Sequence, residues 1–594
     1  MSATQRPQQQ ANSSANRMGG PMGRWMTMGM PVEKSKNFNR SARRLLDRLL
    51  RHRVAVASIV LLAISSVTLN VIGPRVLGHA TNILFGGLRS GGGIPFARLH
   101  RVLLTAVALF AGASLLSYLQ SFLIAGVVQR TMYRLRDDVE RKLHALPLSY
   151  IDVHARGDLL SRVTNDIDNI ANSLQQTMSM LLTSVLTIPG VLIMMLTLSP
   201  LLAVIAIVTV PLSTYTVKMI TDRSRPRFIA QWQHTGALNG HIEEAFTGHG
   251  VVKAFGRQRE VEAEFERYNE ALYEAGFGAQ VVSGSIMPIM FLFGNINFVS
   301  VAVIGGLRVS AGAMGVGDVQ AILQYSRQFS QPIMQFASMI NVLQSGIASA
   351  ERVFELLDAD EQTPDPAPST AAVAPTVGRV EFEDVTFSYT PDRPLIEHLS
   401  LVAEPGRTVA IVGRTGAGKT TLVNLIMRFY ELNGGRITLD GRDIATMPRQ
   451  ALRSQIGMVL QDTWLFGGTI RDNIAYGKPG ATEDEIIEAA REAHVDHFVR
   501  ALPHGYDTVL DDDGTSVSVG ERQLITIARA FLSDPTILIL DEATSSVDTR
   551  TEVLIQQAMA ALRSNRTSFV IAHRLSTIRD ADIILVMEHG DIVE

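Results

Sequence analysis

Gly413-Arg414-Thr415-Gly416-Ala417-Gly418-Lys419-Thr420 decides how this chain is read. The apolar run Thr408–Val412 precedes it, and the periodic stretch Leu422–Phe429 follows. Strand, glycine loop and helix in that order make G-x-x-x-x-G-K-[ST] a phosphate-binding loop rather than a chance string. Glycines let backbone N–H groups turn inward, forming a nest for phosphate oxygens at a helix N-terminus. Arg414, Thr415, Ala417 and Thr421 complete that cradle. Lys419 supplies a positive charge for the β- and γ-phosphates, and Thr420 a hydroxyl for Mg²⁺. A nucleotide site is expected, and the rest of the chain must say what the nucleotide drives.

The chain has 594 residues, enough for several domains. Hydrophobic residues make up 46% and charged residues 19%, with a mean hydropathy of +0.16. The apolar excess is concentrated in runs, which points to membrane spans. A net charge of −3 gives no footprint for nucleic acid. With no cysteine, disulfides, thiol catalysis and cysteine-held metals are excluded.

Residues 1–37 are rich in Gln, Met, Gly, Ser and Arg without apolar period and read as a disordered tail. Phe38–Arg53 sets Arg43, Arg44, Arg48, Arg51 and Arg53 among Leu45, Leu46, Leu49 and Leu50, the pattern of a basic amphipathic helix on a membrane surface or of the positive flank of a span. Six apolar runs of spanning length follow, at 54–77, 102–128, 179–198, 201–220, 283–307 and 317–343. The sixth is the most polar, with Gln320, Gln324, Gln328, Gln331 and Gln335. Gln129–Gln176 and Thr221–Val282 are long and charged, whereas the other connections are short. By the positive-inside rule the tail, the long connections and everything after the sixth run are cytoplasmic, in a cell's inner membrane. The long connections keep a helical period, for example at Met132, Leu135, Val139 and Leu143, and the third to fifth spans are expected to continue as helices far into the cytoplasm.

Residues 38–357 thus read as a six-span α-helical transmembrane domain, and the Pro-rich 358–377 as a linker. Residues 378–594 alternate strand and helix patterns, an α/β P-loop nucleotide-binding domain. Ile537–Leu540 is a continuous apolar strand ending in Asp541-Glu542. It delivers Asp541 to a Mg²⁺ site and Glu542 as general base for an attacking water. Gln461 follows Met458–Leu460, where it could touch Mg²⁺ or the water, and His573 follows Phe569–Ala572, within reach of the γ-phosphate. Tyr389 ends the first strand of the domain, where its ring could stack on adenine.

The phosphate loop, Gln461, Ser516–Arg529, Ile537–Asp548 and Ala572–Leu575 together resemble the ATP-binding cassette of ABC transporters in order and spacing. Gly157–Asp166 and Val252–Phe255 resemble the first and second intracellular loops of six-span, type IV (B-subfamily-like) exporters. The resemblance implies a dimer of cassettes, with ATP and Mg²⁺ closed between one chain's phosphate loop and the other's signature sequence. Asp548 falls in the stretch after Asp541-Glu542 that also binds nucleotide in the family. The family signature is Leu-Ser-Gly-Gly-Gln; here it is Val517-Ser518-Val519-Gly520-Glu521. Ser518 and Gly520 are kept. Val519 sets a β-branched side chain where backbone must approach ATP, and Glu521 sets a negative charge near the nucleotide. Asp511, Asp512 and Asp513 lie just upstream.

An intact Glu542 beside an altered signature implies a heterodimer with one competent and one degenerate site, the partner being a different half-transporter chain. A homodimer that tolerates the change is the alternative. Coupling helices are expected near Leu148–Val153 and Glu244–Gly250, the second docking Phe246 near Trp464 and Phe466 of the partner's cassette. The spans carry almost no charge; Asn295, Asn297 and the glutamines could face a cavity or hold helices together. The cargo class is hydrophobic or amphipathic, drug or lipid. The resulting function is ATP-driven export by alternating access, the competing one a nucleotide-gated channel or regulator of low turnover. The chain stops at Glu594 sooner after its last strand than the family pattern does, which implies further sequence beyond it.

Overall fold

The computed structural model describes residues 37–89, 93–366, 376–461, 463–510, 517–541, 548–572 and 578–594. Residues 1–36 of the tail expected at 1–37, Asp511–Asp513, Glu542 and His573 lie outside the described residues. Two units result: residues up to His144 with Gly157–Ala359, and Ala145–Arg156 with Asp360–Glu594.

The first unit is helical. After α1 (Phe38–Leu50) come α2 (Arg53–Arg89) and α3 (Phe96–Ala145); α4 (Leu148–Val153) belongs to the second unit. The chain returns through α5 (Arg156–Ser161), a π turn at Arg162–Asp166 and α6 (Ile167–Leu198). It continues through α7 (Pro200–Thr247), α8 (His249–Ala254), α9 (Gln258–Gly284), α10 (Ile286–Ser310) and α11 (Val316–Asp358). Among the described residues, the stretches Arg53–Arg89, Phe96–Ala145, Arg156–Leu198, Pro200–Thr247 and Gln258–Ser310 are helical, long and apolar enough to cross a membrane. The sixth run lies within the unbroken α11, whose glutamines keep it more polar than the other five.

Helix length carries an argument of its own. α3 has 50 residues and α7 has 48. At 1.5 Å per residue each extends for about 70–75 Å, more than twice a hydrocarbon core of about 30 Å. The apolar run in α3 ends near Val128, and the charged remainder continues as one helix with Met132, Leu135 and Val139 fully buried. Continuation beyond the apolar run was expected of the third to fifth spans; α3 shows that the second does the same.

Close backbone approach holds the unit together. Gly78 on α2 and Gly317 on α11 pack so closely that a Cβ at either would collide with the other's carbonyl. Gly317 N–H donates to Asn82 Oδ1 at 2.7 Å, and Tyr325 OH to Val71 O at 2.7 Å. Buried Asn297 on α10 donates to Ser326 on α11, and Thr81 to Gln320 Oε1 at 2.5 Å. These polar groups fasten helix to helix, the stabilising use of hydrogen bonds inside apolar bundles. α1 buries Ser41, Leu45 and Leu49 and leaves Leu46 and Leu50 exposed. Arg44 pairs with Asp358 at 2.7 Å, its guanidinium 4.4 Å from the Phe354 ring centroid, and Arg48 pairs with Asp138 at 2.7 Å. The expected amphipathic helix is present, but two of its arginines serve protein partners rather than a surface.

One boundary is corrected. The second short helix was expected at Glu244–Gly250. α7 instead runs on to Thr247, Gly248 ends it, and the short helix is α8, His249–Ala254.

The second unit is α/β. A four-stranded antiparallel sheet has the order β2-β1-β4-β5: β1 is Val380–Phe387, β2 Ile396–Ala403, β4 Gly434–Leu439 and β5 Arg442–Asp443. β7 (Gly468–Thr469) and β8 (Val509–Leu510) pair in a two-stranded sheet, and a six-stranded sheet has the order β12-β11-β3-β10-β9-β6. Its strands are β3 (Thr408–Gly413), β6 (Ile456–Val459), β9 (Ile537–Asp541), β10 (Thr567–Ile571), β11 (Ile583–Glu588) and β12 (Asp591–Ile592). All run parallel except β12, which pairs antiparallel to β11. Continuous burial along β9 and β10 suits strands covered on both faces. One core cluster joins both sheets to α12 (Lys419–Ile426). A second lies under α14 (Ile470–Ala475), α15 (Glu483–Glu492), α17 (Val519–Ser533) and α18 (Thr549–Arg563); short α13 (Arg449–Arg453) and α16 (Asp496–Val499) complete the set.

Candidate nucleotide site

β3 delivers the phosphate loop. Asp582 fastens the start of this strand, accepting from Thr408 N–H at 2.8 Å and from Arg407 at 2.7 Å. Those two bonds, the backbone one first, hold its carboxyl below the usual range. β3 ends at Gly413; Gly416 and Gly418 adopt φ of +87° and +98°, a region that side chains with a Cβ rarely occupy. Gly418 then serves as N-cap of α12. Arg414, Thr415, Gly416 and Thr420 are exposed, and Ala417 is buried. Lys419 arches back over the loop, donating to Gly413 O at 2.9 Å and Arg414 O at 3.0 Å. Its ammonium therefore sits at the mouth of the nest, held by two carbonyls.

The loop is walled by the last two strands of the chain, whose contact with it the sequence pattern had not marked. β11 and β12 form a two-residue hairpin at His589-Gly590, both with positive φ, and Gly590 N–H donates to Ala417 O at 3.1 Å. The apolar run Ile583–Met587, followed by Glu588 and then His589-Gly590, was the available signal.

Strand register places the acid. Asp541 pairs with Ile571, and Ile571 with Ile411, so Asp541 lies level with the last residues of β3, two strands away. At about 4.8 Å per strand the separation is about 10 Å. Gln461 follows β6, the neighbour of β9 on the other side, and is exposed. Thr420, Asp541 and Gln461 thus lie along one C-terminal sheet edge, where open α/β sheets bind ligands. Their hydroxyl, carboxylate and amide oxygens are the hard donors that suit Mg²⁺.

Tyr389 lies two residues beyond the end of β1 rather than within it. Its ring is half exposed, and its hydroxyl is 3.0 Å from Thr421 Oγ1. It packs edge-on against Phe387, with centroids 4.9 Å apart, and against Tyr430 at 5.0 Å. Tyr430 OH in turn donates to Asp152 on α4. Burial first, and then the Asp152 carboxylate, push the Tyr430 phenol well above its usual range. Neither Tyr430 nor Asp152 stood out in the sequence.

Ser518 is the N-cap of α17 and forms a capping box with Glu521. Gly520 is buried, and Val519 is 42% exposed. Glu521, expected to charge the nucleotide face, folds back onto the Ser518 N–H. α12 packs on β3 and β10, whereas α17 packs on α14, α15, α18 and β6, so loop and signature have different neighbours within one chain. Asp548 caps α18, accepting from Thr551 N–H at 3.0 Å, which lowers its carboxyl pKa.

Spanning helices in one half and a phosphate-loop cassette in the other define an ATP-driven membrane transporter. Two family profiles match: "ABC transporter transmembrane region" over residues 56–333 and "ABC transporter" over 396–545. The fatty acid ABC transporter ATP-binding/permease protein of Mycobacterium bovis is 54% identical, over 95% of this chain and 94% of that protein. An ATP-dependent lipid A-core flippase of Chromobacterium violaceum is 35% identical, over 93% of each. A putative multidrug export ATP-binding/permease protein of Bacillus subtilis is 36% identical, over 80% of this chain and 82% of that one. The chain belongs to the ABC transporters, as an exporter half-transporter of type IV fold whose cassette is an ATPase coupled to transport.

Proposed function

We propose that the chain exports amphipathic lipid-type cargo, with a long apolar tail and a small polar head, as one half of a dimer in the inner membrane. The carrying observation is the sheet edge that aligns the Gly413–Thr420 loop, Gln461 and Asp541 in a chain whose other half is spanning helix. The near-absence of charge from the runs and the relative named for fatty acids support the cargo class. The transmembrane domain is taken as 38–357 with six spans, the linker as 358–377 and the cassette, on the cytoplasmic side, as 378–594.

In this reading the loop N–H groups and Lys419 bind the phosphates, and Tyr389 carries the adenine. Thr420 and Asp541, with Gln461 beside them, hold Mg²⁺, which neutralises charge on the phosphate oxygens when bound. Glu542 takes the proton of the attacking water, and His573 holds the γ-phosphate. Ser518 and Gly520 close the partner's site, and Asp548 lies at the seam between cassettes.

The altered Val519 favours a heterodimer, with this chain's signature closing a degenerate site and its loop forming the competent one. Glu521 argues less for this, because it has a capping role within its own subunit. Purified alone, the chain should then hydrolyse ATP poorly; a fully active homodimer would refute the heterodimer. Cargo is tested by MgATP-driven uptake of labelled palmitate into inverted vesicles holding the complete transporter. Uptake lost in Lys419→Ala supports the reading, and uptake equal in both refutes it.

A further inference from the structure

We propose that Tyr430 is a positioning residue that passes the state of the adenine platform at Tyr389 to α4, and through α4 to the helices on either side of it in the chain. The proposal rests on the reading of Tyr389 as the adenine platform. Four observations within the second unit carry it.

The first is the ring cluster. Phe387 is 4% exposed and forms a fixed backstop. Tyr389 and Tyr430 meet it at centroid distances of 4.9 and 5.7 Å and meet each other at 5.0 Å with planes at 90°. Rings packed edge to face at van der Waals contact cannot move independently, so a base laid on Tyr389 constrains Tyr430. The second is the tie to the phosphate loop: Tyr389 OH is 3.0 Å from Thr421 Oγ1, one residue beyond Thr420. Adenine and phosphate ends of a nucleotide thus both bear on the same tyrosine. The third is the output. Tyr430 OH donates to the Asp152 carboxylate, a charge-assisted bond, between residues far apart in sequence.

The fourth is the character of α4. It has six residues and buries none of its side chains. The residue that ends α3, just before it, is held separately by the bond from Gln362 N–H to Ala145 O, at 2.9 Å. A short helix with no buried anchor has few contacts to resist one strong side-chain bond. The chain leaves α4 for α3 on one side and for α5 and α6 on the other, so a shift of α4 enters the spanning helices by covalent continuity.

Hydrogen exchange on the complete transporter in nanodiscs, with Mg²⁺ and AMP-PNP as the probe, tests this. In wild type, nucleotide should change the exchange of the peptide covering 146–156. Tyr430→Phe keeps the ring and removes the hydroxyl. It should cut that response about five-fold or more, the low end of allosteric coupling, while AMP-PNP affinity stays as in wild type. Asp152→Asn keeps an acceptor and should retain most of the response, whereas Asp152→Leu should lose it. A full response in Tyr430→Phe or Asp152→Leu overturns the relay. Unchanged AMP-PNP affinity in Tyr389→Ala overturns the adenine platform instead, and is told apart because it appears in binding rather than in exchange.

Discussion

Ser518 and Glu521 satisfy each other across the first turn of α17: Ser518 N–H donates to Glu521 Oε2 at 2.7 Å and Glu521 N–H to Ser518 Oγ at 3.3 Å. The carboxylate also sits at the positive end of the helix dipole. A residue that looks like a defect in the signature thus has a role in folding its own subunit. What remains altered in the Val517–Glu521 turn is Val519, whose side chain is partly exposed.

The cap gives the first prediction. Glu521→Ala should destabilise the cassette by about 1 kcal/mol, and Glu521→Gln, which keeps an acceptor, by much less. Thermal unfolding followed by tryptophan fluorescence reads both. Equal melting of Glu521→Ala and wild type would remove the capping role.

Gly418, at φ +98°, caps α12 from the left-handed region. Gly418→Ala forces a Cβ into a backbone conformation that costs about 1–2 kcal/mol. The loop should relax away from its nest, so binding of a fluorescent ATP analogue should weaken about ten-fold or more, in line with that strain. Unimpaired binding would show that the loop does not need this conformation.

Asp166, at the end of the π turn, is 7% exposed and takes a bidentate bond from Arg352 on α11, with N–O distances of 2.8 and 2.5 Å. Asp166→Leu leaves the guanidinium without this partner. The cost should be about 2 kcal/mol, lower than for a fully buried pair because Arg352 is 32% exposed. Denaturant midpoints of the solubilised transporter measure it, and an unshifted midpoint would contradict the clamp.

Much of this was legible from residues alone. The loop at Gly413–Thr420, the strand before Asp541 and the short helix at Leu148–Val153 announce themselves through local pattern, because spacing of glycine, lysine and apolar residues is what they are made of. The second short helix was misplaced because Gly248, which ends α7, looks like any polar-loop glycine until its backbone is seen. The Gly78–Gly317 contact, the Ala417–Gly590 bond and the Tyr430–Asp152 bond join residues far apart in the chain. No local period encodes such pairs. Glu521 has a second role that the signature pattern does not point to: its carboxylate caps its own helix.

Phe246 and Phe255 flank α8 and are 84% and 77% exposed. Rings this bare on a soluble surface call for a partner. Trp464 and Phe466, 65% and 43% exposed, mark the apolar place on a cassette where the proposed dimer would receive them. Phe246→Ala with Phe255→Ala should leave ATP binding intact and cut ATP-driven transport about ten-fold, a coupling loss of about 1.4 kcal/mol. Transport at the wild-type rate would rule out this docking.

The central claim is that hydrolysis at the Gly413–Thr420 site drives export. Its most direct test is ATPase and cargo uptake measured on the same vesicles, wild type against Glu542→Gln. Glu542→Gln should bind ATP as wild type does, yet lose hydrolysis about 10²-fold or more, with sustained uptake lost alongside it. Undiminished hydrolysis, or uptake that continues without it, would contradict the account.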